Sequence, residues 1–179
     1  MPVAIDDRDA PDLIPTISET TRIPGNAGIT EAERNRRIAA IHVPFHDAID
    51  AVIDRRLAVR RPTAVIGVHS FTRVYKGVAR PWDVGVLFDS NRRLADRLID
   101  GFSAAGLNVG VNQPYSPADR VYYTLSRHAE ARGLDCVMIE IRNDLVASPR
   151  DEADWAGRLA ALLPAADRSA AKQATSVTT

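Results

Sequence analysis

The sequence predicts one α/β domain built on a largely parallel, mixed sheet with helices on both faces. Short apolar runs of strand length, at 63–68, 84–88, 107–111 and 135–139, alternate with segments whose apolar residues recur at helical spacing. Two of those segments open on the same helix-start grammar, Ser116-Pro117-Ala118-Asp119 and Ser148-Pro149-Arg150-Asp151. At 179 residues, 45% hydrophobic and 26% charged, the chain has material for one core and not two.

Residues 1–29 read as an extended arm. Pro2, Pro11, Pro15 and Pro24 with Gly25-Asn26 and Gly28 remove backbone donors and fix turns. The α/β domain then occupies 30–164. Thr30 and Glu33 form a capping box, and Ile38, Ile41, Phe45, Ile49 and Ile53 follow on one helical face. Pro44 predicts a kink near 40–44. The polar stretch 70–83 reads as irregular, Leu94, Leu98, Ile99 and Phe102 mark a helix face, and Trp155, Leu159 and Leu162 mark the last one. After Pro164 the Ala, Ser and Thr-rich residues 165–179 read as a frayed, disordered tail.

Charge excludes some functions. With 23 basic and 23 acidic side chains the net charge is zero, so there is no footprint for nucleic acid or an anionic membrane. The single Cys136 cannot close an internal disulfide, the start MPVAIDDRDAPDL lacks an apolar signal core, and no run is long enough to span a bilayer. The chain reads as cytoplasmic.

His69 follows a buried strand and is placed to offer a neutral imidazole to a metal, or simply to hydrogen-bond its loop. Glu140, between Ile139 and Ile141, is a carboxylate costly to bury unless paired or bound. Alternation puts it on the same face as Arg142, which leaves two readings: a structural ion pair, or a general base beside a cation. His42 and His46 share a helix face, but Pro44 distorts that turn and no glutamate completes a protease motif, so packing is the simpler role. His128 sits in a charged run and reads as solvated. Asn112, Gln113 and Tyr115 follow a strand and are expected at the ligand edge, as substrate contacts or as caps of the next helix. Trp82 and Trp155 read as core, and Gly85 and Gly110 match no phosphate loop.

Several segments resemble the N-formylglutamate amidohydrolase family: PDLIPTISETTRIPGN at 11–26, ERNRRIAAIHVPFHDAI at 33–49, HSFTRVYKGVARPWDVGVLFD at 69–89 and NQPYSPADRVYYTLSRHAEARGLDCVMIEIRNDL at 112–145. The resemblance implies a phosphorylase/hydrolase-like, zinc-carboxypeptidase-like fold. It also implies metal-dependent hydrolysis of N-formyl-L-glutamate, or a related small acidic N-acyl amino acid, to formate and glutamate in histidine degradation. In that scheme His69 is a Zn2+ ligand and Glu140 activates the attacking water. Arg80 and Arg142 are the candidates for gripping substrate carboxylates, with Asn112 a further substrate contact. Such relatives carry a preceding portion whose histidine motif supplies further ligands. Here Asp6-Asp7-Arg8 stands where an Asn-Arg-Pro turn usually falls, and the sequence reads as the C-terminal two-thirds of the domain. Two alternatives follow. One is a non-catalytic remnant acting as a binding module, with a homo-oligomer covering the sheet region left exposed. The other is a metal site rebuilt from His42, His46 and His69.

Overall fold

In the computed structural model, residues 10 and 12–176 are described, with side chains as far as 163. Asp6-Asp7-Arg8 and the first part of the expected arm lie outside the described residues. The rest of the arm packs. It makes a small hairpin, β1 (Ile17–Ser18) and β2 (Thr21–Arg22), and buries Leu13 and Ile14 against Ile38. Arg37, 4% exposed, locks it by donating to the Asn26 Oδ1 and the Gly25 carbonyl, both at 2.9 Å.

Helix α1 (Glu31–Arg37) starts where the capping box puts it, with the Glu33 N–H donating to Thr30 Oγ1 at 3.2 Å. Only half of the box forms as expected, because the Glu33 carboxylate instead accepts from Arg36 and Arg37. The kink expected at Pro44 appears as a π-helical segment, Ile38–His42, leading into α2 (Val43–Ala58). A proline lacks the N–H and clashes with the carbonyl four residues back, and the wider π turn accommodates that without ending the helix.

The remaining strands are β3 (Ala64–Phe71), β4 (Val74–Tyr75), β5 (Val78–Ala79), β6 (Val84–Leu87), β7 (Val109–Val111) and β8 (Asp135–Arg142), with helices α3 (Arg93–Ala104), α4 (Tyr123–His128) and α5 (Pro149–Ser176). The segment expected to be irregular contains the β4–β5 hairpin. The main sheet runs β3-β8-β6-β7. β3 is parallel to β8 and β7 to β6, but β6 and β8 pair antiparallel, so the sheet consists of two parallel pairs joined head to tail.

Helices cover both faces. On one, Val84, Val86, Val137, Ile139 and Ile141 meet Leu94, Leu98 and Phe102 of α3 and Trp155 of α5. On the other, Leu87, Cys136 and Met138 lie under Tyr122 and Leu125 at α4. The helix expected from Ser116 is broken: a 3-10 turn at Pro117–Asp119 ends at Arg120, whose φ of +63° interrupts it, and α4 starts only at Tyr123. The backbone of α5 continues through Pro164 to Ser176, into the segment expected to fray, where alanine-rich composition favours helix. No helix among the described residues is long and apolar enough to cross a membrane.

The antiparallel joint corrects one expectation. β7 ends at Val111, whose partner Val86 pairs with Ile139, so Asn112 leaves the sheet on the Met138 side and away from Glu140. The ligand-edge rule applies to each parallel pair separately, and the two pairs point opposite ways. The chain then doubles back over the sheet. A Cβ at Gly85 would run into the Gln113 carbonyl oxygen, and one at Gly110 would lie 2.7 Å from that oxygen and 2.9 Å from Trp82 Cγ. The two glycines, partners across β6–β7, are therefore the seat of the returning loop.

Two outcomes test this packing. Trp155→Ala, removing a side chain only 6% exposed, should cost about 3–5 kcal/mol in a urea melt. Gly85→Ala should destabilise by about 1–3 kcal/mol because backbone, not a flexible side chain, blocks the added methyl.

Candidate active site

Glu140 lies near the middle of the sheet, paired in register with His69 on one side and Gly85 on the other. Its side chain continues the row of Cys136 and Met138, so it leaves the sheet on the α4 face. There the helical cover gives way to the loop around Gln113, seated on Gly85. Glu140 is 4% exposed, and its Oε2 has no hydrogen-bond partner among the described residues. Burial pushes the carboxyl up to about 7, while the positive charge of Arg80 pulls the other way. The structural Glu140–Arg142 ion pair does not form, because Arg142 is engaged by Asp83, Asp144 and the Trp82 carbonyl. Glu140 is a buried acid poised to titrate near neutrality.

His69 stands directly across from Glu140, on the same face of the β3–β8 pair. The strand continues through Phe71, so His69 lies within it and not just beyond its end. Its imidazole folds back along β3: a Cβ on Gly67 would touch the His69 Cδ2 and Nε2 at 3.5 Å. His69 is exposed where Glu140 is buried. The two groups expected to share chemistry are thus neighbours at one place on the sheet.

Arg80 sits at the same end of the fold. It is 8% exposed, its guanidinium carbon lies 4.4 Å from the Tyr75 ring centroid, 4.8 Å from Tyr115 and 6.0 Å from Phe71, and its Nη1 donates to Tyr115 Oη at 3.0 Å. These rings hold the cation in place without neutralising it. Among the described residues no carboxylate lies within ion-pair distance of Arg80, although Glu140 is near enough to sense its charge.

Arg142 is engaged differently. Its Nε donates to Asp144 at 2.7 Å, and its Nη1 donates to Asp83 at 3.0 Å and to the Trp82 carbonyl at 3.1 Å. Those bonds make it a brace between β8 and the start of β6. Asn112, at φ +49°, accepts from the Phe88 N–H at 3.0 Å and donates its own N–H to the Val86 carbonyl. Its side chain fixes the departure of the loop.

The other histidines form a separate cluster. His42, His46 and His128 are 1%, 0% and 0% exposed. His46 Nδ1 lies 2.7 Å from His128 Nε2, and His128 Nδ1 lies 2.8 Å from Asp50, which also accepts from Arg132 at 2.6 Å. The expectation that His128 is solvated is corrected: α4 turns it inward against α2, where Asp50 receives it. The expectation that His42 and His46 pack against the kink agrees with their burial. The residue pattern does not reveal that Phe71, Tyr75 and Tyr115 together cage Arg80. Tyr75 and Tyr115 are far from Arg80 or separated from it in sequence by a turn, and only the fold joins them.

Among the described residues no group of three or more His, Cys, Asp and Glu side chains is arranged to hold a metal ion. A catalytic zinc takes three protein ligands and keeps one position open. The described residues therefore do not by themselves fit the zinc that the resemblance implies, either at His69 or across His42, His46 and His69.

Comparison with known proteins accords with this architecture. A solved gene product of Agrobacterium tumefaciens is 44% identical, with a TM-score of 0.87 over 92% of this chain and 66% of its own. The N-formylglutamate amidohydrolase of Ralstonia eutropha JMP134 is 20% identical, with a TM-score of 0.52 over 65% of this chain and 44% of its own, a likeness of fold. This chain thus spans less than two thirds of either relative's length. No functionally curated protein matches it. The sequence profile of the N-formylglutamate amidohydrolases matches residues 6–147. With most of its length matched, and with a mixed sheet carrying a buried glutamate beside a strand histidine, the chain belongs to the N-formylglutamate amidohydrolase family.

Proposed function

We propose that this chain serves amide hydrolysis on a small N-acyl amino acid of the N-formylglutamate kind, with Glu140 as the proton-transferring group and Arg80 as the anchor for a substrate carboxylate. The observation that carries this reading is the buried, unpartnered Oε2 of Glu140 with its carboxyl raised to about 7. A general base works best when its pKa lies near the working pH, and an unengaged oxygen is able to accept a proton.

The proton bookkeeping is simple. Water adds its oxygen to the acyl carbon, and Glu140 takes the proton that the water loses. As the C–N bond breaks, Glu140 returns that proton to the leaving nitrogen, giving the free acid and the amine. Arg80 supports this from a distance. Its planar fork matches a carboxylate, and the surrounding rings exclude water from the pair. Formate, glutamate and a zinc held partly by His69 are the finer content of the proposal. Zinc on His69 requires ligands beyond the described residues.

A second reading, a non-catalytic binding module, is favoured by the missing ligand set among the described residues. Stoichiometric zinc in the purified protein, measured by mass spectrometry, counts against it.

For the hydrolase, Glu140→Gln should lower kcat by roughly 100-fold or more while leaving substrate binding within a few-fold. Arg80→Ala should instead raise KM by roughly 10-fold or more, the loss expected for a charged contact. A turnover assay on N-formylglutamate with both variants checks this, and equal activity of Glu140→Gln and the parent sinks it. In the parent, kcat/KM should rise with pH and reach half its plateau near 7, since the carboxylate is the active form.

Stability gives an independent check on the same group. The folded carboxyl titrates near 7 and an ordinary glutamate near 4.5, so the folded state holds a proton that the unfolded chain has released. Stability from this group is complete below about 4.5 and falls as pH rises through 7. Glu140→Gln should therefore be nearly neutral at acid pH and stabilising above neutrality, by on the order of 1–3 kcal/mol. Denaturant melts at the two pH extremes read the difference.

A further inference from the structure

Helix α2 is held to the rest of the fold by little apolar contact. Of its 16 residues only His46 and Ile53 are buried, and none belongs to the apolar clusters that hold α3, α4 and α5 on the sheet. Arg56 fixes its C-terminal end, donating to Thr63 Oγ1 at 3.1 Å and to the Pro62 carbonyl at 2.7 Å. Nearer its start the attachment is polar. His46 Nδ1 meets His128 Nε2 of α4 at 2.7 Å, with the ring centroids 4.9 Å apart and both side chains wholly buried.

The hydrogens in this contact can be counted. Asp50 lies 2.8 Å from His128 Nδ1. Burial raises the Asp50 carboxyl, but the bonds from His128 and Arg132 outweigh it and hold it below its ordinary value, so it is a carboxylate wherever an imidazole titrates. A carboxylate only accepts, so His128 Nδ1 carries a hydrogen. At 2.7 Å His46 Nδ1 and His128 Nε2 share one hydrogen between them. One added proton leaves the contact intact, because the shared hydrogen can sit on either ring. A second puts a hydrogen on both facing nitrogens, and two N–H groups cannot meet at that distance. The surrounding charges point the same way. From α2, Asp50 and Asp54 face the pair with His42, whose ring lies 4.4 Å from that of His46; from α4 come Tyr123 and Arg127, and from the turn after it Arg132. Two carboxylates already meet two guanidiniums, which leaves no acid among these groups to balance a second imidazolium.

We propose that the His46–His128 contact is an acid-released latch, which holds α2 against α4 at neutral pH and parts when the pair takes a second proton. Two separated imidazoles each take a proton as pH falls through about 6.5, the ordinary histidine value. The open state therefore binds one proton more than the latched one. The latch is complete above that value and weakens as pH falls below it. Release is local. Leu125 keeps α4 on the sheet with Leu87, Cys136 and Met138, whereas α2 has no such cluster to retain it, and the ion pairs of Asp50 with Arg127 and Arg132 are partly exposed and weak. The inference stands on side chains apart from Glu140 and does not depend on Glu140 acting as a base.

The test uses the full chain. Hydrogen–deuterium exchange is read at about pH 7.5 and about pH 5, either side of the histidine range, and corrected for the intrinsic pH dependence of exchange. Amides of α2 should lose protection by at least about tenfold at the lower pH, while those of α3 keep theirs within about twofold. In His46→Gln the α2 response should disappear, because an amide can both donate to His128 Nε2 and accept from it. Should that variant not fold, imidazole nitrogen NMR of the parent decides: His46 and His128 should both become imidazolium only together with the loss of α2 protection. Two imidazoliums with α2 still protected overturn the proposal. So does α2 protection that is equal at both pH values, lost equally from α3, or lost in His46→Gln as in the parent.

Discussion

One carboxyl buried in the middle of the sheet constrains everything around it. Glu140 stands between two strands, so its neighbours in register are fixed by the backbone: His69 on β3 and Gly85 on β6. Placing a charge there without a partner would cost several kcal/mol, and the fold avoids most of that by keeping the acid protonated until about neutral pH. The glycine on one side seats the Gln113 loop, and on the other side stands the exposed His69 imidazole. A larger residue at Gly85 would displace Gln113, and with it the loop that leads to Tyr115 and Arg80.

The head-to-tail joint between β6 and β8 explains why the site is assembled from such distant segments. In a wholly parallel sheet the loops after all strands would gather at one edge. Here the loop after β7 starts at the wrong edge and must return across the face. Asn112 begins that return in a left-handed conformation, bonded to Phe88 and Val86, and the glycine pair lets the chain lie flat. The small hairpin of the arm meets the β4–β5 turn as well, where the Lys76 N–H donates to Glu19. Thus several loops meet near Arg80 through ordinary backbone geometry.

Much of this was legible in the sequence because local chemistry specifies it. Thr30 caps α1, Pro44 marks the disturbed turn, and the four apolar runs each became a strand within a few residues. The pairing of His69 with Glu140 was also legible in outline, since both sit late in apolar runs of strand length, although β3 is exposed at His69. Direction was not. Nothing in the residues of β6 and β8 announces that they run antiparallel, so the position of Asn112 was misjudged. Nor could periodicity alone reveal that His128 turns inward, because its neighbours Arg127 and Arg132 are charged. Their charges are spent on Asp50, the same residue that receives the histidine.

The two arginines near the site show how physical context divides one residue type into two roles. Arg142 meets two carboxylates and a carbonyl, so its charge is consumed at the junction of β8 and β6. Arg80 meets three aromatic rings and a phenol, which orient a guanidinium while leaving its field intact. That field reaches Glu140 and opposes the effect of burial. An anionic ligand on Arg80 would cancel part of it. The carboxyl would then lose a stabilising neighbour for its charged form, and its affinity for a proton would rise. Coupling of that sign follows from the neutrality of the cage: aspartates around Arg80, like those around Arg142, would have removed it.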